Sequence, residues 1–483
     1  LVSGLPLGFL NALTQHEVGA EGTTIEPQTN YAVARLRQDL NKGQSDIGVM
    51  MTAVNRRLDD VTRSEMPREA YAIGLDGRHR FWSNNYEVAA MLSGSTVRGE
   101  PAAIAAIQTN ATHYYQRPDD DVEYDPTAEN LIGDAQRISM SKFGGGITRF
   151  QSVLQRYSTG YELNDLGWLQ RADEIMFRNW FALQFTKPNK YWRRANFNSN
   201  YWRYWSSEGL PTREGVNTNW HVQLQNQWWL NWGITVSDFA GRSYDDRASR
   251  GGPAVRRDAS YDVWAGVEGD SRWRITPFFF SGTWRNNEGN SRGHWFDPWV
   301  NYRFSTRFNG SLSFYYEWQH EDDQFFDRFG ELGHDSTHYA FAELDQTTVN
   351  ITTRINFTAT PTLSLQFYAQ PYISKGTFRN LRGLTNPQSV SYEGRFQPFA
   401  RDCEGEAGGT CDPGGFDSKQ LYTNAVVRWE YRPGSSIFFV WQQGRFRDIG
   451  RPSTFDGMRD YEDLFALHPN NTFLIKASYW FNY

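Results

Sequence analysis

Residues from Leu421 to Tyr431 alternate in character with a period of two: Leu421, Thr423, Ala425, Val427, Trp429 and Tyr431 on one side, Tyr422, Asn424, Val426, Arg428 and Glu430 on the other. A helix repeats every 3.6 residues and would scatter both sets around its circumference, so the pattern predicts a strand with one apolar face and one wet face. It recurs along the chain. After Arg432-Pro433-Gly434-Ser435, the residues Ile437, Phe439 and Trp441 oppose Phe438, Val440 and Gln442. Val349, Ile351, Ile355 and Phe357 oppose Asn350, Thr352, Arg354 and Asn356; beyond the turn at Thr360-Pro361, Leu363, Leu365 and Phe367 oppose Ser364, Gln366 and Gln370.

Counting such runs predicts an all-β fold, a transmembrane antiparallel up-and-down β-barrel of about 20 strands (18–22), each with the roughly 10 residues that a tilted strand needs to cross a bilayer. Short turns are expected near Asn41-Lys42-Gly43, Gly144-Gly145, Lys187-Pro188, Gly269-Asp270, Pro361 and Pro433, and long polar loops at about 97–132, 319–337, 376–417 and 447–470. That split is the one expected between periplasmic turns and extracellular loops, and an even strand count places both termini in the periplasm. Parity requires 97–132 to be a single loop. Within it Pro101 to Asn110 (PAAIAAIQTN) reads as a short helix opened by proline. All 483 residues then form one domain.

Composition agrees with a lipid-facing wall. Hydrophobic residues are only 39% and aromatic ones 16%, with 19 Trp, 25 Tyr and 33 Phe. Mean hydropathy is -0.67. A soluble core with this many rings would carry more Leu, Ile and Val, whereas a barrel exposes apolar residues on one side only and girdles itself with aromatics. No apolar run reaches the 18 residues of a helical span, which leaves the closed barrel as the backbone able to cross lipid. No charged-then-apolar leader opens the sequence at Leu1, which places any export signal outside these residues. A net charge of -6 gives no basis for a nucleic-acid partner.

The last strand ends on aromatics: Phe473, Ile475, Ala477, Tyr479, Phe481 and Tyr483 alternate with Leu474, Lys476, Ser478, Trp480 and Asn482. It resembles the C-terminal strand that the outer-membrane assembly machinery recognises, which makes that machinery an expected partner beside outer-membrane lipids and lipopolysaccharide. Seven further stretches resemble one family. They are GFLNALT (Gly8 to Thr14), AAIAAIQTNATHYYQRPD (Ala102 to Asp119), NDLGW (Asn164 to Trp168), SRGGP (Ser249 to Pro253), YAFAELDQTT (Tyr339 to Thr348), TPTLSLQFYAQPY (Thr360 to Tyr372) and FFVWQQGR (Phe438 to Arg445). The family is the outer-membrane barrel domain that follows a family-9-like carbohydrate-binding module in many bacterial proteins of unassigned function. The resemblance implies barrel and location, and brings no activity with it; the sugar-binding module has no counterpart between Leu1 and Tyr483.

Candidate chemistry is sparse. Asp119, Asp120, Asp121, Glu123 and Asp125 could supply the oxygens that Ca2+ needs, although the spacing is not that of an EF-hand, and a solvated acidic loop is the plainer reading. Glu321, Asp322, Asp323 and Asp327 share the ambiguity. Cys403 and Cys411 lie close together in a Gly-rich stretch, which suits a loop disulfide in an oxidising compartment. His334, Asp335, Ser336 and His338 adjoin one another without a nucleophile elbow or a metalloprotease pattern, so the chain does not read as an enzyme. Arg250 to Pro253 reads as a turn that lets a backbone approach closely. Trp202, Trp205, Trp228, Trp229 and Trp232 read as interfacial belt residues, with sugar stacking as the alternative.

A lumen of this size must conduct or be filled. The expectation is therefore a channel or translocation barrel whose lumen is restricted by its own loops. Ala102, Ile104, Ile107, His113, Tyr114 and Tyr115 form the apolar surface expected to fold over or into the mouth. A closed surface barrel that docks a glycan or an envelope protein is the second expectation, and a barrel hydrolase the third.

Overall fold

The computed structural model describes residues 6–19, 22–330, 337–398, 414–450 and 454–481. Among them one antiparallel sheet of 21 strands dominates. Apart from Phe396–Pro398, a three-residue strand on the edge of Leu363–Leu384, its strands succeed one another in chain order from Leu7–Leu13 to Asn470–Ser478, each paired to the next. The described pairings do not join those two end strands. Both expose both faces: Phe9 and Leu10 are 70% and 60% exposed, Leu474 and Ile475 55% and 70%.

Alternation sorts the side chains as the sequence pattern predicts. One face carries Met51, Ile73, Ile132, Ile138, Leu154, Phe181, Ile234, Val263, Phe279, Leu312 and Phe439, all exposed. The opposite face carries the polar and charged residues. At the short-turn edge, rings meet around most of the sheet: Phe81, Trp82 and Tyr86; Phe185, Tyr191 and Trp192; Trp228 and Trp273; Tyr302, Phe304 and Phe308; Trp429 and Tyr431; Tyr479 and Phe481. Such a band suits a boundary where one side of a ring is apolar and the other wet.

The connections divide by edge. Every turn expected from sequence lies along one edge, where all connections are two to six residues, and the longer connections lie along the other, beside two short ones at 206–210 and 287–290. The helix Pro101–Thr109 forms where expected, with proline in its first turn. Several loop boundaries differ from expectation. Gln319 to Phe329 is the upper part of the 22-residue strand Phe308–Phe329, paired to the 23-residue strand His338–Thr360 through two register shifts. Gly376 to Leu384 likewise continues the strand Leu363–Leu384. These segments are rich in charge and lack a clean alternation. Cross-strand pairing above the apolar band, together with the bulges, carries them as strands. Arg447 to Ile449 also belongs to a strand, and the helix Gly457–Ala466 follows in that loop. Cys403, Cys411 and Tyr483 lie outside the described residues, as do His334, Asp335 and Ser336.

An interstrand ladder this continuous unfolds with difficulty, because opening it in detergent exposes many paired amides at once. Unheated protein in SDS should therefore migrate as a compact band distinct from the boiled one, with a far-ultraviolet spectrum dominated by β-structure. Identical mobility before and after boiling would contradict a cooperative ladder.

Candidate functional site

The candidate site is the inner face of the sheet and the loops that fold onto it. Val54, Ala70, Val97 and Leu131 are cross-strand neighbours in one row, on the face opposite to exposed Met51, Ile73 and Ile132. The helix Pro101–Thr109 lies on this row: Ile104 is fully buried against Val54, Ala70 and Val97, with Ile107 packed beside it. Ala103, Ile104 and Ile107 are thus applied to the inner wall, whereas Ala102, expected on the same surface, is exposed together with Ala106.

The next long loop does the same. Tyr161, Leu169 and Ala172 pack on Ala135, while Glu162 N–H donates to Ser95 Oγ at 3.0 Å. Backbone meets backbone here, and Gly133 and Gly160 make that possible: a Cβ at Gly133 would overlap the Tyr161 main chain, and one at Gly160 would overlap the Ile132 carbonyl.

Buried polar contacts join the loops to one another. The two nitrogens of His113 lie 2.9 Å from Thr159 O and Glu162 Oε2, and the ring contacts Tyr115 edge to face. Burial pushes the Glu162 carboxyl up, but the His113 contact and the Asn164 amide outweigh it and hold the carboxyl below its ordinary value. Asp246 takes a bidentate pair from Arg171 at 2.6 and 2.9 Å and a third contact from Arg117 at 3.3 Å. Burial also raises the Asp246 carboxyl, and the surrounding guanidiniums reverse that. Arg247 donates to the carbonyls of Ala111 and Thr112 and lies 5.0 Å over the Tyr114 ring. Its guanidinium is pushed down to about 10 by burial and by its neighbour Arg171.

The Ser249-Arg-Gly-Gly-Pro turn closes on two partners, as its glycines suggested: a Cβ at Gly251 would overlap Gln116, and one at Gly252 the Tyr339 ring. Farther round, Arg395 pairs with Asp258 at 2.7 and 2.8 Å, and Tyr392 donates to Asp322 at 2.5 Å. The loop that holds the helix Gly457–Ala466 behaves differently. Leu464 packs on Ile373 and Leu421, which share the outward rows of Phe367 and Val427, so this loop wraps the outside.

The acidic residues that suggested Ca2+ do not converge. Asp119 and Asp120 both turn to Arg117, at 3.1 and 2.8 Å, and Asp125 accepts from Thr127. The Asp121 amide donates to Glu208, and Glu123 is exposed. No group of three or more His, Cys, Asp or Glu among the described residues is arranged to hold a metal ion. Arg117 takes the place a cation would have had.

Below the loops, the wall divides into sectors. Near the short turns Arg35 pairs with Asp76, Arg37 and Arg78 with Asp46, and Arg80 with Glu87. An amide ladder follows, with Asn198 on Asn219 at 2.9 Å, Asn200 on Asn217 at 3.2 Å and His221 on Asn231 at 2.7 Å. Inward aromatics then lie flat over the glycine of the adjoining strand: Trp202 over Gly215, Trp264 over Gly233, Phe280 over Gly266 and Trp295 over Gly282. The missing Cβ lets each ring rest on the wall with its face towards the interior. Trp202 and Trp229 thus face inwards, unlike the belt residues expected, whereas Trp232 does face outwards. The Gly-aromatic spacing in neighbouring strands was the sequence signal for the inner rings, and it becomes readable only once the register is known.

A family model described as a domain of unknown function (DUF5916) matches residues 2–483. No curated protein matches the sequence. Three solved structures resemble the fold distantly. The siderophore receptor PirA from Acinetobacter baumannii aligns at 9% identity over 90% of this chain and 76% of its own, with a TM-score of 0.42. A ferric enterobactin receptor mutant from Pseudomonas aeruginosa, in complex with enterobactin, aligns at 8% over 91% and 76%, with a TM-score of 0.44. OccK2 from Pseudomonas aeruginosa aligns at 9% over 98% and 95%, with a TM-score of 0.33.

Two outcomes follow from the loop contacts. Gly133→Ala should lift the segment around Tyr161 from the wall and cost about 1–3 kcal/mol, the usual range for overpacking. Trypsin should then cut at Arg171 faster than in the parent, and an unchanged digest would show that the loop is held elsewhere.

Glu208 faces Asp120 across two loops, and burial together with the shared hydrogen bond raises its carboxyl from 4.5 to about 7. The folded state therefore holds a proton that a free carboxyl has released. Its contribution to loop attachment is complete below the ordinary value and is lost as the pH rises through about 7. Hydrogen exchange in Ala111 to Tyr124 should quicken between pH 5.5 and pH 8 beyond the intrinsic change, and Glu208→Gln should remove the excess; an equal excess in that variant would assign it to another group.

Proposed function

The chain belongs to the DUF5916 family, and for this member we propose a non-enzymatic channel or translocation barrel of the outer membrane of a diderm bacterium, with its lumen restricted by its own loops. The observation that carries this reading is the two-faced wall. One face exposes aliphatic and aromatic side chains along the whole sheet, and the other is charged, amide-rich and overlain by loops. A sheet so divided suits lipid outside and water inside.

Closure follows from the same physics. In hydrocarbon the free edges of Leu7–Leu13 and Asn470–Ser478 would leave a row of unpaired amides, so these two strands complete the ladder by pairing with each other. The short-turn edge, where both end strands have their outer ends, is the periplasmic one, and the loop edge faces outwards towards lipopolysaccharide. Phe473, Ile475, Tyr479 and Phe481 suit the assembly machinery that inserts such barrels.

The loop helix is the restriction. Deleting Ala102 to Pro118 should raise single-channel conductance in planar bilayers while heat-shifted mobility shows an assembled barrel. Because that deletion also removes His113 and Arg117, the double substitution Ile104→Lys with Ile107→Lys provides a second variant, which frees the helix and keeps its polar anchors. Unchanged conductance in both well-folded variants would overturn the restriction and favour a closed barrel that docks a glycan or protein at the surface.

A further inference from the structure

We propose that the inner wall between the strands Asn130–Lys142 and Pro211–Leu224 binds an acidic saccharide, a short chain of pyranose rings that carries carboxylates. This deepens the channel reading and rests on it in one respect, that the inner face is open to solutes.

Two adjoining cavities mark the place. One, of about 470 Å³, is lined by Arg137, Gln151, Arg178, Trp180, Trp202 and Asn217, among others. The other, of about 580 Å³, shares Arg178 and Tyr204 with it and reaches up through Arg213 to Arg171 and Arg247 beneath the loops. Together they form one track from the loop lid into the wall.

The arginines of this track differ from those near the turns between Arg35 and Arg80. Near the turns, Arg35, Arg37, Arg78 and Arg80 each have a carboxylate partner, and under the loops Arg171 has both Glu174 and Asp246. Arg137, Arg178 and Arg213 make no ion pair among the described residues. Arg178 is held by a hydrogen bond to Gln155 Oε1 at 2.9 Å, which orients the guanidinium without neutralising it. Three guanidiniums without an ion pair, set against the single Glu174 carboxylate of the same track, leave an excess of positive charge that calls for an anion, and the planar fork of arginine suits a carboxylate.

The remaining lining says what carries that anion. Trp202 covers Gly215 and lines the cavity, so its ring is available to a bound solute. A flat indole face takes the apolar face of a sugar ring, and Asn200, Asn217 and Gln151 supply the planar amides that hydroxyl groups need. A simple inorganic anion would leave the rings idle, and an aromatic acid would leave the amides idle. A carboxylated sugar uses all three.

The test is isothermal titration of the folded protein in detergent with trigalacturonate and, separately, with neutral maltotriose. Saturable binding of trigalacturonate that weakens with added salt, and much weaker binding of maltotriose, is the expected result. Arg178→Ala should lower the affinity about tenfold, in the range for a charged hydrogen bond, with Arg178→Lys partly restoring it. Arg137→Ala should act in the same direction, and the paired Arg78→Ala should not. Equal affinity for the neutral sugar, an unaltered affinity in both Arg178→Ala and Arg137→Ala, or no binding by protein with heat-shifted mobility would each overturn the proposal. Conductance is read separately, so binding by a barrel that does not conduct supports the site while removing the channel, and conductance without binding does the reverse.

Discussion

A peptide group inside hydrocarbon has only another peptide group to bond with, and the proposed outer-membrane reading of this sheet depends on that constraint. In the barrel proposed here it asks every strand to pair on both sides, and the described pairings give one sheet whose strands succeed one another in chain order up to the end strands Leu7–Leu13 and Asn470–Ser478, each paired on one side. It also forces side chains into two populations, because successive residues point to opposite faces. The outward population meets a uniform solvent and needs only to be apolar; Met51, Ile73, Leu154, Ile234 and Phe439 satisfy it interchangeably. The inward population has no such latitude, since charges beside a low-dielectric wall must be matched or solvated.

The inner wall meets that demand in different ways along its circumference. Arg35, Arg37, Arg78 and Arg80 are matched by carboxylates, which makes their sector electrostatically complete without any ligand. Asparagines bond one another across strands in the next sector, each amide supplying a donor and an acceptor. The sector with Arg137, Arg178 and Arg213 has no ion pair for these guanidiniums among the described residues, and Trp202 and two adjoining cavities lie beside them. The contrast with the matched sector at Arg35 to Arg80 is what the proposed binding rests on.

The loops face the opposite problem. They lie above the apolar band, where water can serve their backbones, yet all but the loop of the helix Gly457–Ala466 among those described above fold inwards, and they bury Ile104, Tyr161 and Tyr392. Burial of those side chains requires the accompanying polar groups to find partners, and Arg117, Asp246, His113, Glu162, Arg395 and Asp258 find them in other loops. Removing one partner of such a set leaves a buried charge exposed to no counterpart, which costs more than the pair contributes. The loops therefore act as one body, and a change in one is felt in its neighbours.

Strand alternation, turn positions, the helix at Pro101 and the aromatic finish of the chain are local properties, set by residues near one another in sequence, and the sequence by itself determined them. The same is true of the Arg250 to Pro253 turn, whose glycines announced a close approach without naming Gln116 or Tyr339 as the partners. Three things were decided only by tertiary structure. Gln319 to Phe329 became strand because a neighbouring strand was there to pair with it, although its own charges argued for a loop. Asp119 and Asp120 became partners of Arg117, a residue next to them whose side chain could have turned anywhere until Asp246 fixed it. Trp202 turned inwards because register set its parity and placed Gly215 beneath it. In each case the deciding contact joins residues brought together by strand pairing or loop docking, and a one-residue change of register would exchange inside for outside.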